Sequence, residues 1–207
     1  MADLWDVVAG ERGALAADLE RLDEAQWGAR SLCEDWTVRR VVGHMTATAN
    51  LTPFTFFTSF AGSGFSFEKF ANKEIDKRLG ADNDATLEQF KAAQNSTKSP
   101  PGPKLSWLGE VIVHAEDIRR PLGIRHEYPI DSVREVADFY KGSNTLIGTK
   151  SRIAGLSLRA TDTTWSHGEG EEVSGPMVSL LMAMTGRSEA CVDLSGPGVA
   201  TLQSRSL

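Results

Sequence analysis

The run Lys98-Ser99-Pro100-Pro101-Gly102-Pro103 constrains this chain more than any other stretch. Its prolines remove backbone donors and restrict φ, so neither a helix nor a strand can pass through it. Apolar residues recur at helical spacing on both sides of the break. Before it, Leu4, Val8, Leu15, Leu19 and Leu22 form one stripe, with Asp3 placed as an N-cap. A second helix is expected from Thr37 through Val38, Val41, Val42 and Met45 until Pro53 kinks or ends it, and it contains His44. Shorter helical patterns follow a Gly- and Phe-containing stretch, at about 67–79 and 84–95. After the break, KLSWLGEVIVHAEDIRR reads as a further helix, closed by Pro121 and Gly123.

Helices of this length joined by loops suit an antiparallel bundle ending near residue 125. Beyond it the pattern changes. A helix at about 131–147 is followed by GLSLRATDTTWSHGEGEEVSG, whose alternation and Gly-Glu-Gly turn predict a β-hairpin. A short helix, PMVSLLMAMTGR, and a final strand, ACVDLSG, complete the chain. The expected fold is α+β, with a helical bundle over 1–125 and a smaller α+β domain over 126–207.

The helix after the proline break raises a chemical question. At 100° per residue, Trp107, Val111, His114 and Ile118 share the arc expected to face the core, with Glu110 at its edge. Glu110 and His114 are one turn apart on one face. A buried carboxylate is costly unless a cation pairs with it, and neutral imidazole is the commonest metal ligand. Each feature has an ordinary reading, since such Glu–His pairs occur on solvated helix faces and His44 could simply be packed. Together, two histidines and one glutamate make the ligand set of catalytic zinc, with a fourth position open. Asp117 could orient a ligand imidazole or pair with Arg119 or Arg120. Glu116 points away from the ligand face, Glu34 and Asp35 read as helix-entry acids, and His126 and His167 as exposed histidines. Trp36, Phe54, Phe56, Phe57 and Phe60 could line a pocket but read better as core, and Cys33 and Cys191 as incidental thiols.

The segments SLCEDWTVRRVVGHMTA and WLGEVIVHAEDIRRPLG resemble the metal-binding signature of the mycothiol-dependent maleylpyruvate isomerase family, within the DinB-like four-helix bundles. LRATDTTWSHGEGEEVSGP and LLMAMTGRSEA resemble that family's smaller domain. The resemblance implies a DinB-like bundle followed by a sterol-carrier-like α+β domain. It implies zinc or another divalent metal on His44, Glu110 and His114, with mycothiol as thiol cofactor. By the same analogy Arg187, in Thr-Gly-Arg, contacts an acidic substrate or the cofactor; on its own it reads rather as a surface or helix-end charge. The implied activity is isomerisation or S-transfer on a small electrophile. A sterol-carrier-like binding protein, with a structural metal or none, is the alternative.

A net charge of −6 without a Lys/Arg cluster argues against nucleic-acid partners. No run is long enough to span a bilayer, and the acidic N-terminus does not read as a signal peptide, so the expected compartment is the cytoplasm.

Overall fold

The computed structural model describes residues 3–33, 36–145 and 147–206. Glu34 and Asp35 therefore lie outside the described residues. The chain divides into two compact units, Met1–His126 and Glu127–Leu207.

In the N-terminal unit, α1 (Leu4–Leu19), α3 (Val38–Asn50), α6 (Asn83–Ala92) and α7 (Lys104–Arg119) form a closed ring of contacts. Helix α1 packs on α7 and α6, and α3 packs on the same two. Their inward stripes supply the core, including Val8, Leu15, Val41, Met45, Phe90, Val111 and Ile118. The short α2 (Glu24–Trp27) and α5 (Phe67–Asp76) pack on α3. Local chemistry sets the helix starts. The Asp3 carboxylate accepts from Trp5 N at 2.9 Å, and Thr37 Oγ1 accepts from Arg40 N at 3.3 Å.

Pro53 behaves differently from expectation. Helix α3 stops at Asn50, and Pro53 opens a new helix, α4 (Pro53–Gly62), behind a capping box between Thr52 and Thr55. Proline suits the first turn, where its missing N–H would have had no helical partner. The aromatic core expected here is also corrected. Helix α4 has no buried residue, and Phe54 is 76% and Phe57 60% exposed. These rings pack mainly on one another, with Phe56 and Phe60 stacked at 6.0 Å and both against the buried Phe70.

The C-terminal unit contains α8 (Ile130–Tyr140), α9 (Thr149–Arg152), a three-stranded sheet, α10 (Met177–Met184) and α11 (Val199–Ser204). Strand β1 (Leu156–Ala160) lies between β2 (Ser166–His167) and β3 (Glu171–Gly175). The expected hairpin is only the β1–β2 pair, with Leu158 opposite His167. Strand β3 runs parallel to β1, so Gly168-Glu169-Gly170 carries the chain to the other edge of β1 rather than back along β2. Gly168 and Gly170 have φ of 84° and 130°, and a Cβ on either would collide with the carbonyls of Leu156 and Gly155 respectively. Only glycine allows that crossing.

The final strand is a correction as well. Ser188–Asp193 is a 3-10 helix; Ser195 forms an isolated bridge to Ser174 and Gly198 N donates to Glu172 O at 2.9 Å, so no strand is added to the sheet. Ala190 and Cys191 are adjacent and both buried, while Val192 is 84% exposed; a strand would place consecutive side chains on opposite faces. The Ser179 hydroxyl donates to Asp193 at 2.7 Å and ties this turn to α10.

Candidate metal centre

Helices α3 and α7 pack together and bring His44, Glu110 and His114 to one point. One donor atom from each residue lies within 4.8 Å of the other two. His44 Nε2 is 3.9 Å from Glu110 Oε1, and the two imidazoles meet edge to face with centroids 4.8 Å apart. Neither oxygen of Glu110 has a hydrogen-bond partner, although both are buried. Unsatisfied buried carboxylate oxygens are costly, and a cation between the two imidazoles would satisfy them. The residues therefore fit a divalent metal.

The electrostatics follow from burial. Burial first, and then the positive charge of His114, lowers the pKa of His44 to about 3 against the pull of Asp117. His44 is a neutral imidazole at ordinary pH. Burial would lower His114 too, but the Asp117 carboxylate and the Cys33 thiol overcome it and raise the group to about 10. Burial pushes the Glu110 carboxyl above the usual range, with His114, Arg12 and the nearby Thr48 hydroxyl opposing. Without a metal, His114 is protonated at ordinary pH.

His114 Nδ1 meets Asp117 Oδ2 at 2.9 Å, which leaves Nε2 as the nitrogen available to a cation. Asp117 is fully buried. The alternative partners expected for it are engaged with other acids: Arg119 Nε donates to Asp18 at 2.8 Å and Arg120 Nε to Glu116 at 2.8 Å. Trp36 packs its ring 5.1 Å from that of His44, beneath the Arg40 guanidinium at 5.9 Å. Of the aromatics considered for a pocket, Trp36 touches the ligand set. His126 corrects another expectation, since its Nε2 pairs at 2.7 Å with the buried Glu11.

Cys33 is the residue that sequence reading missed. It lies in a second group of potential donors, with His114 and Asp117, again within 4.8 Å of one another. No spacing rule connects a loop cysteine to a helix more than seventy residues later, so only the fold reveals it.

Arg187 belongs to the C-terminal unit, just after α10. Gly186, at φ 101°, reverses the chain, and Arg187 N donates to Met182 O at 3.0 Å. The guanidinium donates to Thr185 O at 3.0 Å and lies near enough to Arg152 to help burial lower that residue's pKa.

Residues 8–101 match the family model of the mycothiol maleylpyruvate isomerase N-terminal domain. Over this stretch, less than half of the chain, the protein is similar to the N-terminal domain of that family. The matched residues include His44 and end before α7, so Glu110 and His114 rest on the geometry described above. Two crystal structures of mycothiol-dependent maleylpyruvate isomerase are similar in fold, one of them a variant with a histidine replaced by alanine. Their TM-scores are 0.62 and, for the variant, 0.63, at 16% identity, over 94% of this chain and 92% of theirs. This likeness extends the shared α+β fold over both units. No curated protein matches the chain in sequence. Among the described residues, no helix is long and apolar enough to cross a membrane.

Proposed function

We propose that this chain is a metal-dependent, thiol-using enzyme in which a divalent cation of zinc type is held by His44, Glu110 and His114. The buried Glu110 carboxylate, unpartnered and facing two imidazoles, carries the reading. Three protein ligands leave a coordination position for a small molecule, the arrangement of catalytic rather than structural zinc sites. A cation bound there would stabilise a thiolate over its thiol and so provide a strong nucleophile at neutral pH.

The chain's own residues supply the rest. Asp117 holds the His114 ring so that Nε2 faces Glu110 and His44. His44, already neutral through burial, needs to lose no proton before ligating. Trp36 covers one side of the His44 ring and restricts its rotation. Arg187 is proposed to receive an acidic group of the substrate or thiol, for which a guanidinium offers two parallel donors.

The similarity to the mycothiol maleylpyruvate isomerase N-terminal domain favours mycothiol as the thiol, and the proposed substrate is a small electrophilic acid. Thiolate addition to an activated double bond, rotation and elimination would give isomerisation; protonation of the adduct at carbon, or displacement of a leaving group from the electrophile, would keep the new carbon–sulfur bond and give S-transfer. Both begin with the same nucleophile.

Metal analysis of the purified protein and of folded His44→Ala and Glu110→Ala variants tests the centre. We expect close to one equivalent of zinc in the native protein and loss of both metal and thiol-dependent turnover in the variants. A native protein that stays metal-free after incubation with zinc would exclude the proposal. Turnover of maleylpyruvate, or of an electrophile such as monobromobimane, with mycothiol present and absent separates isomerisation from S-transfer. Loss of turnover in Arg187→Ala with the metal retained would support the role given to that residue.

A further inference from the structure

A second donor set shares His114 with the first. Cys33 precedes α3, and the described residues around it are tied down on several sides. Cys33 N donates to Ser31 Oγ at 3.1 Å, Trp36 N to Cys33 O at 3.0 Å, and Leu32 N to the Asp117 carbonyl at 3.0 Å. These bonds hold the Cys33 thiol against α7, where a sulfur, a His114 nitrogen and an Asp117 oxygen all lie within 4.8 Å. Donors bound about 2.0–2.3 Å from one ion can be separated by no more than roughly 4.6 Å, so only a small contraction would bring these three onto a common cation. Asp117 is fully buried and Cys33 is half-buried, which gives the set one side open to entry.

The geometry points to a second, thiolate-containing cation site formed by Cys33, His114 and Asp117, adjacent to the first and sharing the His114 imidazole. Its chemistry differs from that of its neighbour. A sulfur donor selects thiophilic ions such as zinc and cadmium, whereas the nitrogen and oxygen donors of the first set accept a broader range. Binding is balanced by release of two protons to solvent, one from the Cys33 thiol and one from His114 Nδ1, as the imidazole becomes a bridge. The inference rests on the reading of the first site only through His114.

Titration with cadmium chloride tests it, in a Cys191→Ala background so that any thiolate-to-cadmium ultraviolet band reports Cys33 alone. Circular dichroism confirms folding of each variant. We expect two equivalents of cadmium with the band in the parent. We expect one equivalent without it in Cys33→Ser, and one equivalent with it in His44→Ala. One equivalent without the band in the parent, lost in His44→Ala, would overturn the second site and leave the first intact. One equivalent with a band that Cys33→Ser abolishes would make Cys33 a fourth ligand of a single ion, which also overturns it. No bound cadmium at all would overturn both sites.

Discussion

Helix α7 buries ionisable groups in two ways, and the contrast between its ends separates structure from chemistry. Toward its C-terminus, Arg119 meets Asp18 and Glu116 meets Arg120, each with a bond of 2.8 Å. One to three turns earlier, Glu110 is equally sheltered and neither oxygen is bonded. A bare fold has no use for an orphaned carboxylate. Paired charges are fully explained by the fold, while the orphan indicates a ligand.

The largest effect should come from breaking the satisfied end. Arg119→Ala leaves Asp18 without its fully buried partner, and loss of one member of a buried pair costs about 3–5 kcal/mol. Urea denaturation should show a lower midpoint, with the metal still bound by the remaining folded protein. Asp117→Asn acts on the ligand end, where loss of the carboxylate orienting His114 should weaken zinc affinity about 10–100-fold in a chelator competition.

The histidine pair also predicts how stability depends on pH in the metal-free protein. His114, raised from 6.5 to about 10, contributes stability that is complete below pH 6.5 and is lost as pH rises toward 10. His44, lowered from 6.5 to about 3, contributes stability that is complete above pH 6.5 and is lost as pH falls toward 3. Denaturant midpoints should therefore show a basic limb that Asp117→Asn flattens and an acidic limb that His44→Ala flattens. If Asp117→Asn left the basic limb unchanged, the carboxylate would not be what holds the proton on His114.

The smallest effect is expected at two sites that look costly. Glu110→Gln should leave metal-free stability within about 1 kcal/mol, because it removes a buried charge that has no hydrogen-bond partner. Phe54→Ser should change stability by less than about 0.5 kcal/mol, since the ring is 76% exposed. A large loss in either would mean that these groups are held by the fold after all.

Much of the N-terminal unit was legible from local chemistry. The spacing of Leu4, Val8, Leu15 and Leu19 gives α1, Asp3 caps where its side chain predicts, α3 begins beside Thr37 as expected, and 3.6-residue periodicity puts Glu110 beside His114. The C-terminal unit was less legible. An alternating strand pattern does not say which edge of β1 a later strand will join, and Gly168 and Gly170 allow a parallel return as readily as a turn. The ACVDLSG segment alternates only loosely, and packing beside α10 made it a 3-10 turn.

By itself, then, the sequence determined the helices, their caps and the spacing of two ligand candidates on α7, because these depend on residues within one or two turns of each other. Only the tertiary structure decided that His44 faces that pair, that Asp117 orients His114 and that Cys33 lies beside it. Those contacts join residues far apart in sequence, and no local propensity specifies which packed surfaces will meet.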